Sequence, residues 1–135
     1  MNEFTWPVRV YYENTDAGGV VYHTDYLNFM ERARTEWLRS LGFEQDKLSK
    51  EQSIIFAVRK VTIDYIKPAV FDELLTINTR IIKQGKASLL FEQFIINKEN
   101  EKLCQAEIKI ACLDNNNMKP APIPDNILLE IDHVN

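Results

Sequence analysis

The spacing of apolar residues along the chain changes period, and the change separates one helical stretch from a remainder that reads as strands. From Tyr26 the residues Met30, Ala33, Trp37 and Leu41 follow at steps of four, three, four and four, with Leu27, Arg34 and Leu38 in the adjacent row. That period keeps one face of an α-helix apolar and predicts a helix buried along a broad stripe. Thr24 or Asp25 can cap its start and Gly42 can end it in the left-handed conformation, giving about 17 residues. Glu31 with Arg34 and Arg32 with Glu36 stand at i,i+3 and i,i+4, the spacing of ion pairs on a solvated helix face.

Ahead of the helix, Phe4 to Tyr12 alternates as a half-buried strand, with Val8, Val10 and Tyr12 on one face, and Pro7 suits an edge or a strand start. Phe43 to Ser53 is a polar connection with room for a helical turn. Four strand runs follow. In Ile54 to Ile66 the apolar phase shifts from even positions (Ile54, Phe56, Val58) to odd ones (Val61, Ile63, Tyr65), which predicts a β-bulge or strong bend. Glu73 to Gln84 carries Leu75, Ile77 and Ile81 on one face, and Gly85 marks a turn. Lys86 to Asn97 is apolar on both phases, as in a central strand or one covered by another subunit. Lys102 to Leu113 alternates most cleanly, with Cys104, Ala106, Ile108, Ile110 and Cys112 inward. Asn115 to Asn117 form a turn, KPAPIP an extended segment, and Pro124 to Asp132 a short helix.

The order is β, α, β, β, β, β, short α. A ferredoxin-like split βαβ needs a second long helix between strands, so it is rejected. What remains is an α+β domain in which a curled antiparallel sheet wraps around one long central helix. The chain has 135 residues, enough for one substantial core, and residues 1–135 are read as one domain. A formal net charge of -4 argues against nucleic acid, which needs clustered Lys and Arg. Neither a signal-like start nor an apolar run of about 18 residues is present, which points to a cytoplasmic protein without a membrane span. Cys104 and Cys112 lie eight residues apart in one strand, about 26 Å at strand rise. They cannot pair, and their apolar phase marks them as small buried residues.

Tyr12, Asp16 and His23 are the cluster of reactive groups near the turn that leads into the helix. Gly18 and Gly19 shape the turn that carries Asp16. The first helical N–H groups, near His23 to Tyr26, lack intrahelical partners and carry the positive end of the helix dipole, so they can polarise a carbonyl. On residue type alone Asp16 reads first as a turn former or cap, and His23 reads first as hydrogen-bonded scaffold rather than acid or base. Asp16, His23 and Asp25 offer no fourth ligand for a metal, and no metal or cofactor is expected. No nucleophile elbow, phosphate loop or dinucleotide fingerprint competes with this stretch.

The segment RVYYENTDAGGVVYHTDYLNFMERARTEWL closely resembles the N-terminal signature of the 4-hydroxybenzoyl-CoA thioesterase-like branch of the hotdog-fold superfamily. It is most similar to the YbgC-type, Tol-Pal-associated acyl-CoA thioesterases. The resemblance continues through FAVRKVTIDYIKPAVFDELL, FEQFIINKEN and CLDNNNMKPAPIP. It implies a hotdog fold, cofactor-free thioester hydrolysis, and Asp16 as the catalytic carboxylate, acting as nucleophile or general base. His23 and Tyr12 match the motif's His and upstream Tyr, and Asn14 stands where such relatives usually carry Asp. The resemblance also implies a homodimer or homotetramer whose sites are completed by a neighbour, acting on acyl-CoA or acyl-carrier protein. The phosphates of CoA call for local cations, for which Arg59, Lys60, Lys67 and Lys86 are the candidates. A hotdog acyl dehydratase lacks its H-F-P type motif here, and a cystatin-like inhibitor lacks its Q-x-V-x-G loop. A non-catalytic acyl-binding protein is the remaining alternative.

Overall fold

The computed structural model describes residues 3–134. Residues 1, 2 and 135, which complete the predicted 1–135 domain, lie outside the described residues. The elements in order are β1 (Phe4–Arg9), a 3₁₀ turn (Tyr12–Asn14), α1 (Asp25–Ser40), α2 (Gln45–Gln52), β2 (Ile54–Tyr65), β3 (Leu74–Gln84), β4 (Ser88–Ile96), β5 (Lys102–Asp114) and α3 (Asp125–Val134). The five strands form one antiparallel sheet in the order β1-β3-β4-β5-β2, so β1 and β2 are the edges and β4 is central.

The helical stripe folds as its spacing requires. Tyr26, Met30, Ala33, Trp37 and Leu38 are buried, with Leu27 and Leu41 half-buried against the same core. Phe29 is also fully buried, which the stripe omitted because it lies one position off the row. Gly42 takes φ +97°. Its N–H donates to Arg39 O at 2.9 Å, and that of Phe43 to Leu38 O at 3.2 Å, the paired bonds of a Schellman end. The start differs from expectation. Thr24 is already helical and its side chain makes no cap, while the Asp25 carboxylate accepts a hydrogen bond from Asn14 Nδ2.

Neither expected ion pair of α1 forms. Thr35 Oγ1 donates to Glu31, Arg32 lies over the Phe29 ring, and Glu36 pairs with Arg39 at 2.8 Å. Arg34 turns inward instead and donates through Nη1 to Gln93 Oε1 at 2.9 Å. Gln93, fully buried in β4, donates in turn to Met30 O at 3.0 Å and Thr79 Oγ1 at 2.8 Å, so one amide joins α1, β3 and β4 through the core. Burial holds the Arg34 guanidinium below its ordinary range, at about 10, with Glu31 acting in the opposite sense.

The phase shift in β2 is a bulge between Val58 and Lys60. Val58 faces Ile110 and Lys60 faces Lys109, so Arg59 is the extra residue. Ile54, Phe56 and Val58 before it, and Val61, Ile63 and Tyr65 after it, thereby share the inner face. Cys104 and Cys112 are free and buried, as their phase implies. The helix held against the concave side of this curled sheet is the hotdog arrangement. The polar connection after α1 holds eight helical residues, longer than the single turn expected.

Candidate active site

Asp16 sits in a short hairpin that its own backbone and side chain define. Its N–H donates to Val20 O at 2.9 Å, its carbonyl accepts from Gly19 N–H at 3.0 Å, and its Oδ1 accepts from Gly18 N–H at 2.8 Å. The two glycines have different reasons to be there. Gly19 adopts φ +80°, which other residues take only under strain. At Gly18 an added Cβ would stand 3.2 Å from Asp16 Oδ1, tighter than ordinary contact. One carboxylate oxygen is thus fixed by the turn, while Oδ2 has no hydrogen-bond partner among the described residues. The hairpin is pinned from outside by a bridge between Val20 and Val70, and Val21 N–H donates to Ala69 O at 2.9 Å.

The same Ala69 reaches the start of α1, because its N–H donates to the Tyr26 hydroxyl at 2.9 Å. Tyr65 closes the other side by donating its hydroxyl to His23 O at 2.7 Å. Burial is the main cause that raises both phenols, so each stays neutral at ordinary pH. Asn14 adds the third brace. Its Oδ1 accepts from Tyr11 N–H, its Nδ2 donates to Asp25, and its carbonyl accepts from Tyr22 N–H. Asp25 N–H is spent on Tyr22 O, whereas the N–H groups of His23, Thr24 and Tyr26 have no hydrogen-bond acceptor among the described residues. A braced helix N-terminus with unpaired donors results.

The three expected site residues lie on the stretch ahead of α1 but do not form one hydrogen-bonded cluster, and neither Asp16 nor Tyr12 lines the pocket that His23 borders. The Tyr12 ring is exposed and stacks on Phe71, with centroids 3.9 Å apart, rather than bonding Asp16 or His23. The exposed His23 ring packs against Tyr22 at 4.5 Å and edge-on to Tyr65 at 6.4 Å. It borders an open pocket of about 240 Å³ with Tyr26, Tyr65, Ile66 and Lys67. Of the four expected cations, only Lys67 adjoins this pocket, and it pairs with Glu101, whose carboxyl it draws below the usual range. Lys60 faces Lys109 across the strands, Arg59 occupies the bulge, and Lys86 lies in the β3–β4 turn. Among the described residues no three His, Cys, Asp or Glu side chains gather as a metal site, and Asp16, His23 and Asp25 are not brought together as one.

Residues 10–131 match the family model described as the thioesterase-like superfamily. The chain belongs to that superfamily. The acyl-CoA thioester hydrolase YbgC of Escherichia coli is 50% identical over 127 residues, 94% of each chain. The acyl-CoA thioesterase YbgC of Haemophilus influenzae is 46% identical over 133 residues, 98% of this chain and 97% of that one. A probable thioesterase of Bartonella henselae, known from its crystal structure, superposes with a TM-score of 0.86 at 38% identity, covering 91% of this chain and all of that one.

This member of the thioesterase-like superfamily has a carboxylate held by a glycine turn and unpaired N–H groups at the start of α1. The bracing residues Asn14, Tyr26, Tyr65 and Ala69 were not singled out as site residues from sequence. Tyr65 carried a signal in its inward phase, and Asn14 in its departure from Asp. A carboxylate at position 14 would face that of Asp25, and the amide supplies the donor that Asp25 needs.

Proposed function

We propose that the chain is an acyl-CoA thioesterase that hydrolyses the thioester to free acid and thiol. The observation that carries this reading is that the Asp16 hairpin and a helix start with unpaired N–H groups at His23, Thr24 and Tyr26 are both tied to Ala69. The substrate carbonyl oxygen accepts from those donors, where charge develops in the transition state. Asp16 delivers the nucleophile in one of two balanced ways. Its free oxygen attacks the carbonyl carbon, the C–S bond breaks, and water then hydrolyses the mixed anhydride. Alternatively Asp16 takes a proton from water, which attacks directly. A CoA-type thiol leaves as thiolate with a pKa near that of Cys, about 8.5, so no strong acid is needed at sulfur.

His23 and Tyr12 are assigned to the mouth of the site, His23 beside the pocket and Tyr12 on the Phe71 stack. Lys67 is the cation assigned to the phosphates of CoA, because among the four candidates it borders the His23 pocket, and Arg59, Lys60 and Lys86 serve at most its outer parts. The working unit is a homodimer or homotetramer, supported by the half-buried outer-face residues Leu90, Phe94 and Ile96 of β4. Acyl-carrier protein is a second carrier of the same thioester. No helix among the described residues is long and apolar enough to cross a membrane, and a cytoplasmic location is part of the proposal.

CoA release from a panel of acyl-CoA chain lengths tests the reading, comparing wild type with Asp16→Asn. Loss of the base or nucleophile lowers kcat by about a hundredfold or more. An Asp16→Asn protein as fast as wild type makes Asp16 a turn residue and ends this mechanism. Single-turnover hydrolysis in ¹⁸O water identifies the anhydride route when water attacks its aspartyl carbon, because the general-base route puts no label in the Asp16 carboxylate.

A further inference from the structure

Twice along its length β2 touches α1's surroundings, and the two places are different sites. At one end Tyr65 bonds His23 at the helix start. At the other, Phe56 and Val58 wall a cavity of about 150 Å³ with Trp37, Phe91 and Ile110. Between them α1 leans over β1 and β3 rather than β2. The inner side chains of β2 are therefore left open, with Val61 and Ile63 half-buried and Val58 exposed. An apolar strip thus runs from the pocket at His23 to the cavity. On the helix, ten residues separate Thr24 from Arg34, about 15 Å of rise.

The cavity has an apolar wall and a polar end. Trp37 and Phe91 meet edge to face at 5.2 Å on the apolar side. Arg34 and Glu31 also line it and supply its polar groups, and Arg34 has no carboxylate within ion-pair distance among the described residues. A cavity of this volume accommodates a group the size of benzene. Alkyl carbons pushed further would strip the guanidinium of its remaining water, an unfavourable exchange.

We propose that this cavity seats the distal end of an aliphatic acyl group bound along β2, and that Arg34 marks the length at which the chain must stop. The inference rests on the thioesterase reading above. It makes Val58 the mouth of the tail site and Arg34 a residue that sets specificity rather than one that takes part in bond breaking.

The test is the ratio of kcat/KM for long-chain to short-chain acyl-CoA in Val58→Trp and Arg34→Met, with melting temperatures recorded. Val58 is half exposed, so the larger side chain narrows the mouth without overfilling the core. Val58→Trp lowers the ratio by about tenfold or more, and Arg34→Met raises it by a similar factor for chains beyond the wild-type optimum. A Val58→Trp chain-length profile that superimposes on that of wild type overturns the inference even if Arg34→Met folds poorly. Should wild type cleave no thioester, the thioesterase reading fails separately, and the same ratio measured as binding affinity for the panel decides the tail site.

Discussion

The side-chain amide of Asn14 donates a 2.9 Å hydrogen bond to the carboxylate of Asp25, tying the 3₁₀ turn ahead of the Asp16 hairpin to the first residue of α1. Asn14→Asp replaces that donor with a second carboxylate. Like charges at this distance raise the carboxyl pKa values in the folded state, so the folded variant holds a proton that the unfolded chain gives up. Its stability relative to wild type is therefore intact at low pH and falls as pH rises past the ordinary carboxylate range. Urea unfolding at pH 7 should show a loss of about 1–3 kcal/mol that shrinks toward pH 4. A loss independent of pH would mean that the pair is not in contact.

The two glycines of the Asp16 hairpin should respond in opposite ways. Gly19→Ala forces a side chain into φ +80° and costs about 1 kcal/mol of stability. Gly18→Ala keeps the backbone relaxed but crowds Asp16 Oδ1, so the carboxylate moves by a few tenths of an ångström. The expected result is a near-wild-type melting temperature with kcat lowered about threefold to tenfold. Equal loss of stability in both variants would contradict this division of labour.

Gln93 is the polar joint between helix and sheet, and Gln93→Leu leaves Arg34 Nη1, Met30 O and Thr79 Oγ1 without their amide partner. Leaving a half-buried charged donor and two buried acceptors unpaired makes this one of the costly substitutions, about 2–4 kcal/mol. The urea midpoint should drop with an unchanged m-value. A shift below about 1 kcal/mol would show that water replaces the amide freely.

Burial pushes the Cys104 thiol up from 9.0 to about 12. The unfolded chain then loses the Cys104 proton first, so the folded state loses stability as pH rises from about 9 toward about 12, and Cys104→Ala removes that slope. Up to about 1.4 kcal/mol per pH unit should separate the two proteins in alkaline unfolding titrations. Native protein at pH 8 should also leave Cys104 unmodified by a thiol reagent that labels it quickly in urea. Rapid native labelling would contradict the buried placement.

The period of the apolar residues was enough to reveal α1, its end at Gly42, the phase shift in β2 and the inward cysteines, because each follows from which side of an element must leave water. Partners chosen by side-chain polar atoms were not legible in this way. The spacing of Arg34 from Glu31 predicts a solvated side chain, whereas it reaches Gln93 from the half-buried row. Asp25 was read as a cap and instead accepts from Asn14, eleven residues earlier. The site was visible as a motif, but its bracing depends on Tyr65 and Ala69, more than forty residues from the helix start that they hold. No local spacing encodes those contacts.

The bulge at Arg59 means that β2 is read in two frames against one continuous β5. Deletion of Arg59 alone would leave Val58 facing Ile110 and Lys60 facing Lys109, so Ile54, Phe56 and Val58 and Val61, Ile63 and Tyr65 would all keep facing the helix. A residue inserted between Val61 and Tyr65 must instead form a second bulge or turn Tyr65 to the other face, and with Tyr65 would go the clasp on His23. The bulge is thus a place where the strand can lose a residue while both ends of the proposed substrate channel stay on the same side of the sheet.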